Sequence, residues 1–227
     1  MADPLILAVD LGTSGMKVAL ITVSGKVVGW ETQSVRLLVT PDGGAEQSPD
    51  EWWTAFLSAA GRLLRREQDA GPKIEAICCS TQGEGTVPVD KNGNALGNCI
   101  LWMDMRGAPH LKKQLGGLIN IDGVSIEKVL RFVHLTGGMP SMTGKDPAGH
   151  MLLIRDTHPD VYAQTYKFLN VLDYMNLRLT GRFVATFDSI LTSWVTDNRA
   201  PDAVHYHDKL ISTLGLDPAK LPEISLS

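Results

Sequence analysis

Hydrophobic, β-prone residues open the chain in three runs, 5–9, 17–23 and 27–35, parted only by DLGTSGM and by Ser24-Gly25-Lys26. Connections this short predict antiparallel hairpins and leave no room for the helix that a βαβ dinucleotide fold needs after its first strand. A helix start follows at Ser48-Pro49-Asp50-Glu51, with serine as N-cap, proline at the first helical position and glutamate placed to close a capping box. Trp52, Phe56, Ala60 and Leu63, joined by Trp53, Leu57 and Leu64, then recur at helical spacing and predict a core-facing stripe.

Residues 74–80 read as a buried strand ending in the polar loop Thr81-Gln82-Gly83-Glu84-Gly85. Runs 86–89 and 99–102 flank Asp90-Lys91-Asn92-Gly93-Asn94, a turn signal that predicts another hairpin. Helical patterns cover 108–115, 126–135, 150–156 and 160–164, a short strand 167–170, and a helix 173–179 ended by Gly181. A last short strand at 183–186 and helices at 189–196 and 207–214 complete an α/β domain with a mixed sheet.

Composition narrows the function classes. The 227 residues suit one large domain or two small ones, and 44% hydrophobic with 20% charged residues is ordinary globular usage rather than disorder or coiled coil. A net charge of -4 without a basic stripe argues against a nucleic-acid partner, so any phosphate must be held by a local device. Cys78, Cys79 and Cys99 are odd in number and form no CxxC, which suits a reducing cytoplasm better than a disulfide framework or a zinc site. His205 and His207 read as a solvated surface pair without a third metal ligand. The N-terminus has no cationic lead, and no apolar run approaches the ~18 residues of a membrane span. A cytoplasmic protein with no membrane partner is expected.

The segment richest in chemistry is Asp10-Leu11-Gly12-Thr13-Ser14-Gly15-Met16-Lys17. Glycines free backbone N–H groups to turn inward around an anion, and Thr13 and Ser14 add hydroxyl donors. Lys17 can meet a phosphate as a point charge. Asp10 would repel a bare phosphate and is expected instead to hold the Mg²⁺ that accompanies ATP, through water. The bland alternative is a plain hairpin in which Asp10 caps the turn and Lys17 is solvated. GxGxxG is absent, and the run from Gly138 to Asp146 fails as a P-loop, being one residue too long with Asp146 where a Mg²⁺-binding hydroxyl belongs.

Residues 10–17 resemble the first phosphate motif of the actin-like superfamily, which includes sugar kinases, Hsp70 and actin. Four later segments narrow the resemblance to the FGGY carbohydrate kinases. Glu46-Gln47-Ser48-Pro49 with Trp52-Trp53 is similar to that family's E-Q-x-P…W stretch, and residues 77–85 resemble its strand and glutamine loop. Leu101-Trp102-Met103-Asp104-Met105-Arg106 resembles its W-x-D-x-R motif. Tyr166 to Asn170, Asp173-Tyr174, Leu179-Thr180-Gly181 and Thr186 are similar to the stretch ending its first domain. The resemblance implies a ribonuclease H-like (actin-like ATPase) α/β fold, a mixed sheet opening on an antiparallel three-strand meander flanked by helices. It also implies ATP and Mg²⁺ as cofactors and transfer of the γ-phosphate to a sugar or polyol hydroxyl. Residues 1–227 would be the first, sugar-binding and phosphate-loop domain. Gly12, Thr13, Ser14 and Lys17 would bind phosphate, and Asp10 the metal. Gln82, Glu84, Trp102, Asp104 and Arg106 would bind the substrate: a strand end offering an indole to stack on and a carboxylate to accept hydroxyl protons suits a sugar.

Gln82-Gly83-Glu84 departs from the Gln-Met-His of xylulose kinases and the Gln-Arg-Glu of glycerol kinases. The later helical region looks most like xylulose kinases, so a pentulose such as xylulose is the expected substrate. The family's general-base aspartate, in a G-x-x-D motif, has no counterpart here and is expected beyond Ser227 with a second kinase domain, leaving this chain alone inactive. Asp173 and Asp188 read better as helix-start or turn residues. A homodimer is an admissible assembly. A non-catalytic actin-like sugar-binding or assembly module stays open as the alternative, whereas an Hsp70-like ATPase would leave W-x-D-x-R without a job.

Overall fold

A computed structural model describes residues 3–121 and 123–225. In chain order its elements are β1 (Leu5–Gly12), β2 (Gly15–Thr22), β3 (Val27–Ser34), β4 (Leu38–Val39), β5 (Ala45–Gln47), α1 (Pro49–Arg66), β6 (Ile74–Thr81), β7 (Gly85–Val89), β8 (Cys99–Leu101) and α2 (Ala108–Leu115). There follow β9 (Asn120–Ile121), β10 (Val124–Ser125), α3 (Ile126–Thr136), α4 (Pro147–Thr157), α5 (Pro159–Gln164), β11 (Lys167–Leu169), α6 (Val171–Thr180), β12 (Val184–Thr186), α7 (Phe187–Ile190), β13 (Thr196–Asp197), β14 (His205–Tyr206), α8 (Asp208–Leu214) and β15 (Glu223–Ser225). These form two compact units, Met1–Leu37 with Gln47–Gly83, and Leu38–Glu46 with Glu84–Ser227.

The first unit is a mixed sheet in the order β3-β2-β1-β6. The opening meander is antiparallel, as its short connections require, while β6 runs parallel to β1. Alternation along β1 buries Leu5, Leu7, Val9 and Leu11 on one face. On α1, Trp52, Phe56, Ala60 and Leu63 are buried as the spacing predicts, but Leu57 is exposed. The capping box is half formed. Ser48 Oγ accepts from the Glu51 amide, whereas the Glu51 carboxylate turns away to accept from the amide and Nε of Arg36. The expected burial of β6 is overturned: Ile77 is 46% exposed and Cys78 is exposed. Its continuous apolar run suggests a covered strand, yet β6 lies at the sheet edge while α1 packs on β2 and β3.

The second unit holds a five-stranded sheet in the order β11-β7-β8-β5-β4. The hairpin expected across residues 90–94 is present, with Asp90 accepting from the amides of Asn92 and Asn94. Leu111, Phe132, Leu152 and Leu210, on α2, α3, α4 and α8, fill its main core. The expected helix over 189–196 is not formed. After α7 a single 3₁₀ turn ends at Trp194, whose φ of 58° is left-handed, and the chain continues extended into β13. A β-branched Val195-Thr196 pair favours the strand, and the Trp194 indole is held elsewhere, as described below. Of the two histidines expected at the surface, His205 is exposed, but His207 is half-buried at the N-cap of α8 with an enclosed Nδ1. Among the described residues no helix is long and apolar enough to cross a membrane.

Candidate functional site

The residues expected to bind phosphate form the turn between β1 and β2 in the first unit. Gly12 pairs with Gly15, so Thr13 and Ser14 alone make the loop, and Asp10 faces Lys17 across the ladder. Their side chains meet, Lys17 Nζ donating to Asp10 Oδ2 at 2.8 Å, and both stay largely open to solvent. The reason expected for the glycines is corrected: neither Gly12 nor Gly15 has a positive φ. Gly15 is required by space, because a Cβ there would stand 2.7 Å from the Gln33 carbonyl oxygen of β3. A Cβ on Gly12 would meet nothing nearer than 3.6 Å, so the bare backbone beside Asp10 leaves the turn accessible.

A buried amide braces this turn from below. Gln47, 0% exposed, donates from Nε2 to the Thr13 carbonyl at 2.7 Å, while its Oε1 accepts from Trp52 Nε1 and from Gln82 Nε2. Thr13 Oγ1 donates to Gln82 Oε1 at 2.9 Å, and the Gln82 amide donates to the Leu11 carbonyl. Gln82, expected to read a sugar, is thus committed through both ends of its carboxamide to holding Thr13. Gln47 stood in the E-Q-x-P stretch without an assigned role; its flanking Trp52 was the available signal. Gly15→Ala should lower the urea midpoint of the chain by the equivalent of about 2 kcal/mol, since strand backbone must yield. An unchanged midpoint would show that β3 is free to move there.

In the second unit the ladder pairs Gly85 with Leu101, so Glu84 and Trp102 are the next residues outward at the same end of β7 and β8. Trp102 is 43% exposed. Asp104 is different: it is 0% exposed, with Oδ2 accepting from the Ala45 amide and Oδ1 from the Arg106 amide, both at 2.9 Å. The Arg106 fork closes on the same carboxylate, Nε at 3.1 Å and Nη2 at 2.6 Å, and Nη2 also donates to Glu46. The W-x-D-x-R motif therefore builds a turn. Its aspartate, expected to meet the substrate, is enclosed by these donors rather than open at the surface.

His150, missed by the sequence reading, supports that turn. Burial pushes its pKa down to about 4, so it is neutral at physiological pH. Its Nε2 lies 3.4 Å from the Asp104 carbonyl and its Nδ1 3.2 Å from Thr86 Oγ1, a pattern met by an Nε2–H donor and an Nδ1 acceptor. Burial, reinforced by the charge of Asp146, pushes Glu84 up to about 7. Asp173, as expected, is a helix-start residue: its Oδ2 accepts from the Asn170 amide in a capping box, and burial raises it to about 6.

Comparison with known proteins agrees with these motifs. The family model for the FGGY family of carbohydrate kinases, N-terminal domain, matches residues 5–227. A xylulose kinase of Escherichia coli (strain K12) is 29% identical over 192 residues, 83% of this chain and 36% of that protein. A gluconokinase of Bacillus licheniformis is 23% identical over 185 residues, 80% of this chain and 33% of its own length. In three dimensions the crystal structure of a xyloylose kinase from Brucella ovis superposes with a TM-score of 0.83 at 24% identity, covering 97% of this chain and 43% of that one. The chain thus spans well under half the length of the relatives it matches. With nearly its whole length under the family model and the actin-like, ribonuclease H-like fold in place, the chain belongs to the FGGY family of carbohydrate kinases.

Proposed function

We propose that the chain is the first domain of an ATP-dependent kinase that phosphorylates a hydroxyl of a neutral sugar or polyol, with a pentulose such as xylulose as the leading substrate. The observation that supports this most strongly is the solvent-open Asp10 and Lys17 pair flanking a two-residue turn, in a chain of this family. The residues present fit Mg·ATP. Asp10 offers an exposed carboxylate of the kind Mg²⁺ takes with its water retained, and Lys17 offers a charge for phosphate. Ser14 and the uncrowded Gly12 backbone give the turn its polar, open surface, while Gln82 and Gln47 hold Thr13 in place. When bound, Mg·ATP supplies the transferable phosphoryl group and a divalent charge that offsets its oxygens.

On the second unit Glu84 and Trp102 serve as the sugar-facing groups, an acid for hydroxyls and an indole for the apolar C–H face. Asp104 and Arg106 hold the turn that presents Trp102. An ADP-release assay on the full-length protein with xylulose, ribulose, glycerol and gluconate tests the reading. Sugar-dependent release, highest with a pentulose, is expected. Equal ADP release with and without every compound would sink the kinase reading.

A further inference from the structure

Within the first unit, Thr13 of the turn, Gln47 at the end of β5 and Gln82 after β6 close a hydrogen-bonded ring, with Trp52 of α1 attached to it. Donor chemistry fixes its direction. An indole N–H can only donate and a main-chain carbonyl can only accept. Trp52 Nε1 lies 3.1 Å from one end of the Gln47 carboxamide and the Thr13 carbonyl 2.7 Å from the other, so the first end is Oε1 and the second Nε2. Gln47 Oε1 also meets the Gln82 carboxamide at 2.8 Å, and as an acceptor it requires Gln82 Nε2 there. Gln82 Oε1 is thereby turned to Thr13 Oγ1 at 2.9 Å, where two acceptors would repel, so the hydroxyl donates. The Gln82 amide, donating to the Leu11 carbonyl at 2.6 Å, pins its main chain to β1.

We infer that Gln47 is a positioning residue that aims the Thr13 hydroxyl hydrogen inward at Gln82, so that Ser14 rather than Thr13 supplies the hydroxyl that donates to a nucleotide phosphate. This rests on the reading of the turn as a phosphate site, and it gives the two hydroxyls different roles. A threonine hydroxyl has one hydrogen, and its lone pairs would meet phosphate oxygens as like partial charges. Re-aiming that hydrogen at a phosphate would strip Gln82 Oε1 of its donor. Gln82 cannot compensate by turning its carboxamide over, because two oxygens would then face each other at Gln47. Gln47 is held in turn: reversed, it would set its oxygen against the Thr13 carbonyl and its NH₂ against the indole N–H. Gln47 and Trp52 are both 0% exposed, so no water relieves such a mismatch. Thr13 is left its main chain for an anion, and Ser14, exposed in the turn, keeps the donor hydroxyl.

Full-length protein carrying ¹³Cδ-labelled glutamine, titrated with Mg·AMP-PNP and followed by NMR and calorimetry, tests the assignment. The Gln82 carbonyl signal, assigned with Gln82→Met, should move in Thr13→Val, stay in Ser14→Ala, and stay when the wild type binds the nucleotide. Ser14→Ala should weaken binding about tenfold, the scale of one hydrogen bond to a charged group, and Thr13→Val by about threefold or less. Gln47→Met should weaken it about tenfold and, with the lock gone, let the nucleotide move the Gln82 signal. Where Gln47→Met does not fold, Gln82→Met removes the hydroxyl's acceptor instead, and Thr13→Val should then cost more in that background than in the wild type. A larger loss in Thr13→Val than in Ser14→Ala, or a wild-type signal carried by nucleotide to its Thr13→Val position, overturns the division of roles. Wild-type binding by folded Gln47→Met, or an equal cost of Thr13→Val in both backgrounds, overturns the positioning role. If the wild type does not bind Mg·AMP-PNP while Thr13→Val still displaces the Gln82 signal, the ring's direction stands and the phosphate-site reading falls, with the role of Ser14.

Discussion

Arg106→Leu should destabilise the chain by about 3–5 kcal/mol, because it leaves the fully buried Asp104 carboxylate without its counterion. The Ala45 and Arg106 amides would still donate to Asp104, but two neutral donors do not replace a bidentate guanidinium at 0% exposure. Arg106→Lys should recover only part of the loss, since one ammonium cannot span Nε- and Nη2-type contacts and also reach Glu46. Arg36→Ala makes the control: Arg36 is 79% exposed in its pair with Glu51, and its removal should cost about 1 kcal/mol or less. Urea unfolding of the four proteins measures all three differences. If Arg106→Leu costs no more than Arg36→Ala, the pair is worth no more than a solvated surface bridge.

That contrast shows which features were legible. The hairpins at Thr13-Ser14, Ser24-Gly25 and Asp90 to Asn94 depend on a few neighbouring residues, so short connections and turn residues announce them. Helix α2 falls on its expected residues, and Ser48 caps α1, for the same local reason. The fate of Asp104 depends on Ala45 and Glu46, some sixty residues earlier, and no local pattern carries that information. Glu51 completes no capping box because Arg36 competes for its carboxylate. The helix expected through Trp194 ends because that indole is drawn to Asp146, a residue the sequence reading met only as the misplaced end of a failed P-loop. The two-residue turn at Thr13-Ser14 was therefore readable from order and spacing, whereas the surroundings of Asp146 were fixed by its contacts with Ser141 and the distant Trp194.

The same distinction makes Asp10→Asn the sharpest test of the phosphate turn. Asp10 and Lys17 are 45% and 61% exposed in their side chains, so their ion pair adds little to stability and asparagine should leave the urea midpoint almost unchanged. An amide keeps the shape of the carboxylate but not the charge that attracts hydrated Mg²⁺. Turnover at saturating sugar and Mg·ATP should therefore drop by about 10²–10³-fold, the scale seen when one preorganised electrostatic contact to a reacting group is removed. Sugar affinity should stay within about twofold under the proposed reading, in which Glu84 and Trp102 rather than the turn meet the sugar. Lys17→Met should lose less, since Thr13, Ser14 and the backbone of the turn remain to meet the phosphates. If Asp10→Asn turns over within about threefold of the wild type at an unchanged midpoint, the carboxylate is only a hairpin cap and the metal must be held by other residues.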